Sequence, residues 1–429
     1  MLAIFYTSGF HRWCFYYSLV HHVKTPPRHL IFFMRIKIYP IAFLISFFIF
    51  CTNCIAQNKP YTASFIGRMG VDTVLVETYS IINNHLYGKA FIRVPEDYIG
   101  EFSIHFYPDG SIREFNIIAM DPFNSSVPFK ATSGSFEYRL NMNCMNDTCT
   151  FYNSQKNTAA EKIYKHPAKK MDFVGGWVPL ISLMEWNCIR LIKSNQQQLP
   201  LKMINHTIGV YDIAVRRQNK DTVIFGGPFL EYTKIKIDTA GRILNTNGIG
   251  TPWNYYVTKH EPVDIDQVAK RMAKKPGIGI PSPTDSVEAV VHNSNIKVRY
   301  GRPFKRGRTI FGGVVPYDSV WRTGANRPTI ITLENNISIG KTIIPKGQYS
   351  LYTVPGLNNW LLIFNTNVRR WPTDPDISKD FATVVIPVKK TKNTMEKFTI
   401  EIEEIKKGGV LKFLWDDVMA YTEFEVLKN

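Results

Sequence analysis

The first 56 positions contain no acidic residue, and the apolar run IAFLISFFIF at 41–50 stops after ten residues. A run that short falls well below the ~20 residues that a spanning helix needs, so a permanent membrane anchor is not expected. Cysteine is scarce. Cys14, Cys51 and Cys54 lie in that N-terminal stretch, which leaves Cys144, Cys149 and Cys188 for the rest of the chain. Motifs that carry chemistry are scarcer still: there is no G-x-S-x-G elbow, no H-E-x-x-H and no glycine-rich phosphate cradle. The histidines at 85, 105, 166, 206, 260 and 292 lie far apart along the chain, and neither a metal nor a cofactor is expected.

What is present points to packed sheet. Aromatic residues make up 13% of the chain and charged residues only 20%, a balance that excludes global disorder. A length of 429 residues suits two domains, each able to bury an ordinary core. The net charge is +17, but Arg12, Lys24, Arg28, Arg35 and Lys37 precede position 57, leaving 47 basic against 35 acidic residues. That excess is spread out, as on a solvated surface, and permits association with an acidic envelope surface.

Met34 opens a second possible start. Arg35 and Lys37 form a positive region, 41–50 an apolar one, and Cys54-Ile55-Ala56 ends in a small residue, which together make a secretory signal over 34–56 with cleavage after Ala56. Residues 1–33 read as an upstream leader from a wrongly assigned start. The expected location is therefore exported, periplasmic or at the cell surface. An oxidising compartment permits a disulfide, and Cys144-Met-Asn-Asp-Thr-Cys149 is spaced to bridge a hairpin, with Cys188 left as a buried thiol.

From 61 onward VDTVLVETYS, HLYGKAFIRV and EFSIHFYPDGSIREFNI alternate apolar and polar residues, the period of antiparallel strands. Asp109-Gly110 and the Asp238–Gly241 region punctuate two hairpins. Between them, GWVPLISLMEWNCIRLIKSN (176–195) switches to a helical period. The expected architecture is all-β in two domains. Residues 57–262 form a curved antiparallel sheet of roughly eight strands, half-barrel-like, with one packed helix near 177–194. Its interior is expected to be filled by Trp177, Trp186 and their neighbours. A short helix and a Pro/Gly linker occupy 263–285, and nine short strands over 286–429 form a β-sandwich.

One stretch stands apart. RYGRPFKRGRTIFGGVVPYDSVWRTGAN (299–326) crowds bases, glycines and aromatics, and the first acid within it is Asp318. The blocks Tyr300-Gly301-Arg302-Pro303, Gly307 to Gly313, Val315-Pro316-Tyr317 and Val320 to Asn326, followed by Pro345 to Gly356 and Trp360, resemble the bacterial domain of unknown function 2911. The resemblance spans about 288–427. It implies an exported protein and assigns it no activity.

Arg299, Arg302, Lys305, Arg306 and Arg308 read as a basic cluster without a local acid. Arginine forks suit carboxylate or phosphate, and aromatic rings stack on sugars. Arg302, Arg308, Trp321, Arg322 and Asn326 are therefore expected to converge on one polar, anionic or glycan ligand. The architectural alternative makes Trp321 a core plug, pairs Arg322 with an acid such as Asp416 or Asp417, and gives Asn326 a capping role. Two further functions fit the composition: a hydrolase of an envelope glycan or ester, with its site in the cleft between the domains, and a lipid or lipoprotein carrier using the half-barrel. Nucleic acid is not expected as a partner of an exported chain, and catalysis is not favoured.

Overall fold

The alternation between 61 and 120 folds as a meander: β1 (Tyr61–Met69), β2 (Asp72–Ile82), β3 (His85–Ile92), β4 (Tyr98–Phe106) and β5 (Ile112–Met120) pair antiparallel in chain order. The computed structural model describes residues 59–427 except 95, 124–138, 146–147, 155–161, 167–169, 176–179, 205–208, 228–230, 249–254 and 369–375. The expected leader and signal, Trp177, and the Asn146-Asp147 turn lie outside the described residues.

β6 (Arg139–Met145), β7 (Thr148–Ser154) and β8 (Lys162–His166) extend the meander to one edge. The chain then supplies β9 (Phe173–Val174) and α1 (Ile181–Ser194), and returns through β10 (Gln198–Ile204), β11 (Val210–Arg217), β12 (Thr222–Gly227), β13 (Glu231–Ile237), β14 (Ile243–Asn247) and β15 (Tyr256–His260). β15 closes back on β1, so one fifteen-stranded sheet runs from β8 through β1 and β15 to β9. Only β9 and β10 run parallel among these pairs. The sheet is almost twice as wide as expected because β10 carries Pro200 and β6 is rich in asparagine, residues that weaken a strand signature.

α1 occupies the inner face of this sheet. Leu183, Cys188 and Leu191 share a core with Phe65, Tyr79 and Phe115 from one arm and Val215, Phe225 and Ile235 from the other. A helix touched from both arms requires the sheet to curve around it, which is the half-barrel. α2 (Ile265–Met272) packs on the opposite face, where Ile265 and Ala269 meet Val76, Phe91 and Ile99. Strand periodicity explains the division: Ala90 and Ile92 face inward and Phe91 outward. No helix among the described residues is long and apolar enough to cross a membrane.

The second sheet contains β16 (Thr284–Val291), β17 (Ser294–Gly301), β18 (Thr329–Leu333), β19 (Ile337–Ile339), β20 (Thr342–Ile344), β21 (Gly347–Pro355), β22 (Asn359–Asn365), β23 (Asp380–Ile405) and β24 (Gly408–Val426). They are ordered β16-β17-β18-β21-β22-β23-β24-β19-β20 around a core holding Trp360, Phe364, Phe398, Phe413 and Trp415. Nine strands were expected, but not these nine. ATVVIPVKK and EKFTIEIEE belong to the single strand β23, GVLKFLWDD and AYTEFEV to β24, and the hairpin β19–β20 was not read. The polar run between Lys390 and Met395 resembles a turn, yet the pair continues through register slips opposite Asp416, whose φ is +55°. Bulges of this kind bend a strand without ending it.

Candidate functional site

The arginine-rich stretch leaves β17 at Gly301 and immediately meets acids supplied from elsewhere. Arg302 donates to Asp285 (2.9 Å), to the Phe398 carbonyl (3.2 Å) and to the Thr399 hydroxyl (3.0 Å). Lys305 pairs with Asp416, and Arg306 with Asp72 at 2.6 Å. The cluster that looked unpaired in the sequence is therefore largely paired, by residues 17, 111 and 234 positions away. Asp417 pairs instead with Lys390 (2.6 Å).

The remaining expected residues each have partners of their own. Trp321 sits among rings, stacked on Trp415 (5.9 Å between centroids) and edge-on to Phe398 (5.0 Å), while its indole N–H donates to the Gly324 carbonyl. Asn326, at φ +61°, donates to the Ser282 carbonyl at 2.9 Å. Arg322 is half-buried. Arg308 donates through Nε to the Lys305 carbonyl (3.0 Å) and through Nη2 to the Phe304 carbonyl (2.5 Å). Arg302 and Trp321 meet at Phe398, and Arg302 and Asn326 both anchor the segment 282–285.

Arg306, part of the basic cluster but outside the expected ligand set, joins the two sheets. Its guanidinium reaches Asp72 and the Ile278 carbonyl (3.2 Å), its carbonyl accepts from Val71 N–H (3.1 Å), and its own N–H donates to Glu396 (2.8 Å). The β1–β2 turn fits this loop so closely that a Cβ on Gly70 would lie 1.9 Å from the Arg306 carbonyl oxygen. The one readable signal was Gly70 beside an acid at a hairpin turn, and nothing local names its partner.

The second sheet and its glycine-arginine blocks now have a counterpart. Residues 282–424 match the family model described as protein of unknown function DUF2911. No curated protein matches the chain. Among solved structures it is similar to a DUF1089 family protein from Pseudomonas aeruginosa (10% identity, 41% of this chain and 90% of that one, TM-score 0.28). It is also similar to intact Ap-TbpB with its N and C lobes (9% identity, 86% and 77%, TM-score 0.12). Likenesses this distant carry no argument about function.

Outside residues 282–424, the half-barrel concentrates buried polar groups around α1. The helix has no side-chain cap of its own at Leu180; Glu77 of β2 supplies it, accepting from the N–H groups of Ile181 (2.7 Å) and Ser182 (3.0 Å). Burial pushes the Glu77 carboxyl up to about 7, and the charge of Glu185 adds to the shift. Glu185 accepts from the Tyr79 hydroxyl, from Arg242 (2.9 Å) and from Ile243 N–H (2.7 Å). Trp186 stacks on Phe106 and donates to the Gly110 carbonyl, which ties the helix to the β4–β5 hairpin. Each carboxylate is engaged by backbone or fixed side-chain donors, an arrangement that positions a helix.

Beside Glu77 lies a crevice lined by Phe173, Ile181, Met184 and Phe225, with Thr233, Thr246, Gly248 and Tyr255 as its more polar part. It offers only about 20 Å³ to the centres of water-sized molecules, enough for one or two waters. α1 fills the remainder of the inner face.

Two findings bear on the cysteine and histidine readings. Cys144 and Cys149 form a disulfide across the β6–β7 pair, their Cα atoms 4.0 Å apart, and Cys188 is a buried thiol. His85 and His105, distant in sequence, are register partners with rings stacked 4.0 Å apart. Even so, no group of three or more metal-ligating residues is found among the described residues.

Proposed function

We propose that the chain is an exported, non-catalytic binding protein of the bacterial envelope, in which the half-barrel carries the ligand and the DUF2911 lobe is its rigid partner. The observation that carries this is the crevice under α1. Its walls are apolar and uncharged, its hydroxyl groups come from Thr233, Thr246 and Tyr255, and the helix above it combines core packing with polar anchors at Glu77 and Glu185. Such a lining suits the apolar chain of an amphiphile whose polar end meets the hydroxyl groups. Because α1 fills the space in this state, ligand entry requires the helix to shift. Export rests on the signal pattern at 34–56 and on a disulfide of the kind that persists outside the cytoplasm.

The glycan or anion site expected on the sandwich has weaker support, since Arg302, Trp321 and Asn326 spend their donors internally. A hydrolase would need a poised pair of groups, and Glu77 and Glu185 are both committed to holding α1.

The test is titration of residues 57–429 with a fluorescent fatty acid. Saturable, displaceable binding is expected. Thr246→Phe, which fills the crevice, weakens it about tenfold, or ~1.4 kcal/mol, whereas Met184→Ala, which enlarges it, does not. Absence of saturable binding, or equal affinity in Thr246→Phe, overturns the proposal.

A further inference from the structure

The loop joining the sheets contains two buried donors that nothing accepts. Arg306 Nε and Arg308 Nη1 are both out of solvent contact and have no hydrogen-bond partner among the described residues. Buried polar groups are nearly always satisfied, and an unmet donor on a charged group costs more than a neutral one. Two on side chains two residues apart suggest a missing acceptor shared between them.

The local charge agrees. Arg306 spends Nη1 on Asp72 and its backbone N–H on Glu396. Arg308 spends Nε and Nη2 on neutral carbonyls, so it has no carboxylate of its own. Burial, and then the neighbouring Arg306, push the Arg308 guanidinium below its usual range, a sign of cationic crowding. Lys397 and Arg306 both lie over the Phe304 ring, 5.1 and 5.0 Å from its centroid. Gly70 and Gly307, both at positive φ, form the seam over this point: a Cβ on Gly70 would meet Arg308 Cγ at 2.9 Å, and one on Gly307 would meet Val71 at 2.8 Å.

We infer that the seam between the β1–β2 turn and the Phe304–Arg308 loop is a binding site for a small oxyanion of the phosphate class, held by Arg306 Nε and Arg308 Nη1. A tetrahedral oxyanion offers acceptors to one free nitrogen on each guanidinium at once and supplies the negative charge that Arg308 lacks. The turn belongs to the half-barrel and the loop to the DUF2911 lobe, so the anion bridges both and fastens them together. Entry requires the β1–β2 turn to lift, since both nitrogens are covered. The site is independent of the crevice under α1 and needs no apolar ligand.

The probe is inorganic phosphate, titrated calorimetrically and by thermal unfolding into residues 57–429 at constant ionic strength, with chloride as control. Expected are a saturable heat and a rise in melting temperature specific to phosphate. Arg308→Gln should weaken phosphate binding about tenfold or more, and Arg308→Lys, which keeps the charge without the fork, should retain part of it. A hexose phosphate and vesicles containing phosphatidylglycerol then distinguish a soluble phosphate from a lipid headgroup. If phosphate acts no differently from chloride on the wild-type chain, or if Arg308→Gln binds as well as wild type, the inference is wrong. The wild-type titration decides the matter even where a variant fails to fold.

Discussion

Glu77 is the residue at which burial and hydrogen bonding oppose each other most directly. Its carboxylate accepts two N–H groups at the start of α1, which favours the ionised form, yet it is fully buried near Glu185, which disfavours it. Burial wins, lifting the carboxyl from 4.5 to about 7. A carboxyl raised on folding binds its proton more tightly in the native state. Its stabilising effect is complete below about pH 4.5, declines as pH rises, and is gone above about pH 7. The full difference is the shift multiplied by 1.36 kcal/mol per unit, roughly 3 kcal/mol. Glu77→Gln removes the titration while keeping one acceptor for the helix N–H groups. Urea unfolding of both proteins at pH 5, 6, 7 and 8, at constant ionic strength, should show the variant gaining stability relative to wild type as pH rises. The relative gain should be about 2.5 kcal/mol across that range, most of the full difference. Parallel pH curves for the two proteins would refute the reasoning, because they would mean that Glu77 carries the same charge folded and unfolded throughout.

Gly70→Ala tests the seam between the sheets: at φ +63°, with a Cβ 1.9 Å from the Arg306 carbonyl, alanine should cost about 3 kcal/mol or more and raise proteolysis in the segment 276–283. Wild-type resistance would mean that the turn does not seat on the loop. Replacing both Cys144 and Cys149 by serine should lower stability by about 2 kcal/mol, the chain-entropy value for so short a loop, in non-reducing denaturant melts. An unchanged midpoint would place the bridge outside the stabilising framework.

What could be read from the chain was local, and the reason is physical. Strand alternation is a two-residue property and helix periodicity a four-residue one, so Phe102, Ile104 and Phe106 declared β4, and the apolar positions from Ile181 to Leu191 declared α1. Weak alternation hid β6 and β10, and a bulge in β23 was indistinguishable from a turn, because both place polar residues where pairing is disturbed.

The site was harder to read for a related reason. A run of bases looks like an empty receptor when its counter-charges are distant in sequence, and here Asp285, Asp416 and Asp72 arrive from three separate strands. The same long-range pairing shows which part of the run still lacks a partner. Subtracting those acids leaves Arg308 with carbonyls alone and leaves Arg306 with an idle Nε, a remainder that no local count could isolate. Charge density in the sequence singled out the loop, and the distant acids divide its residues by role. Arg302 and Asn326 fasten the segment 282–285, while the pair whose chemistry is incomplete lies where the two sheets meet.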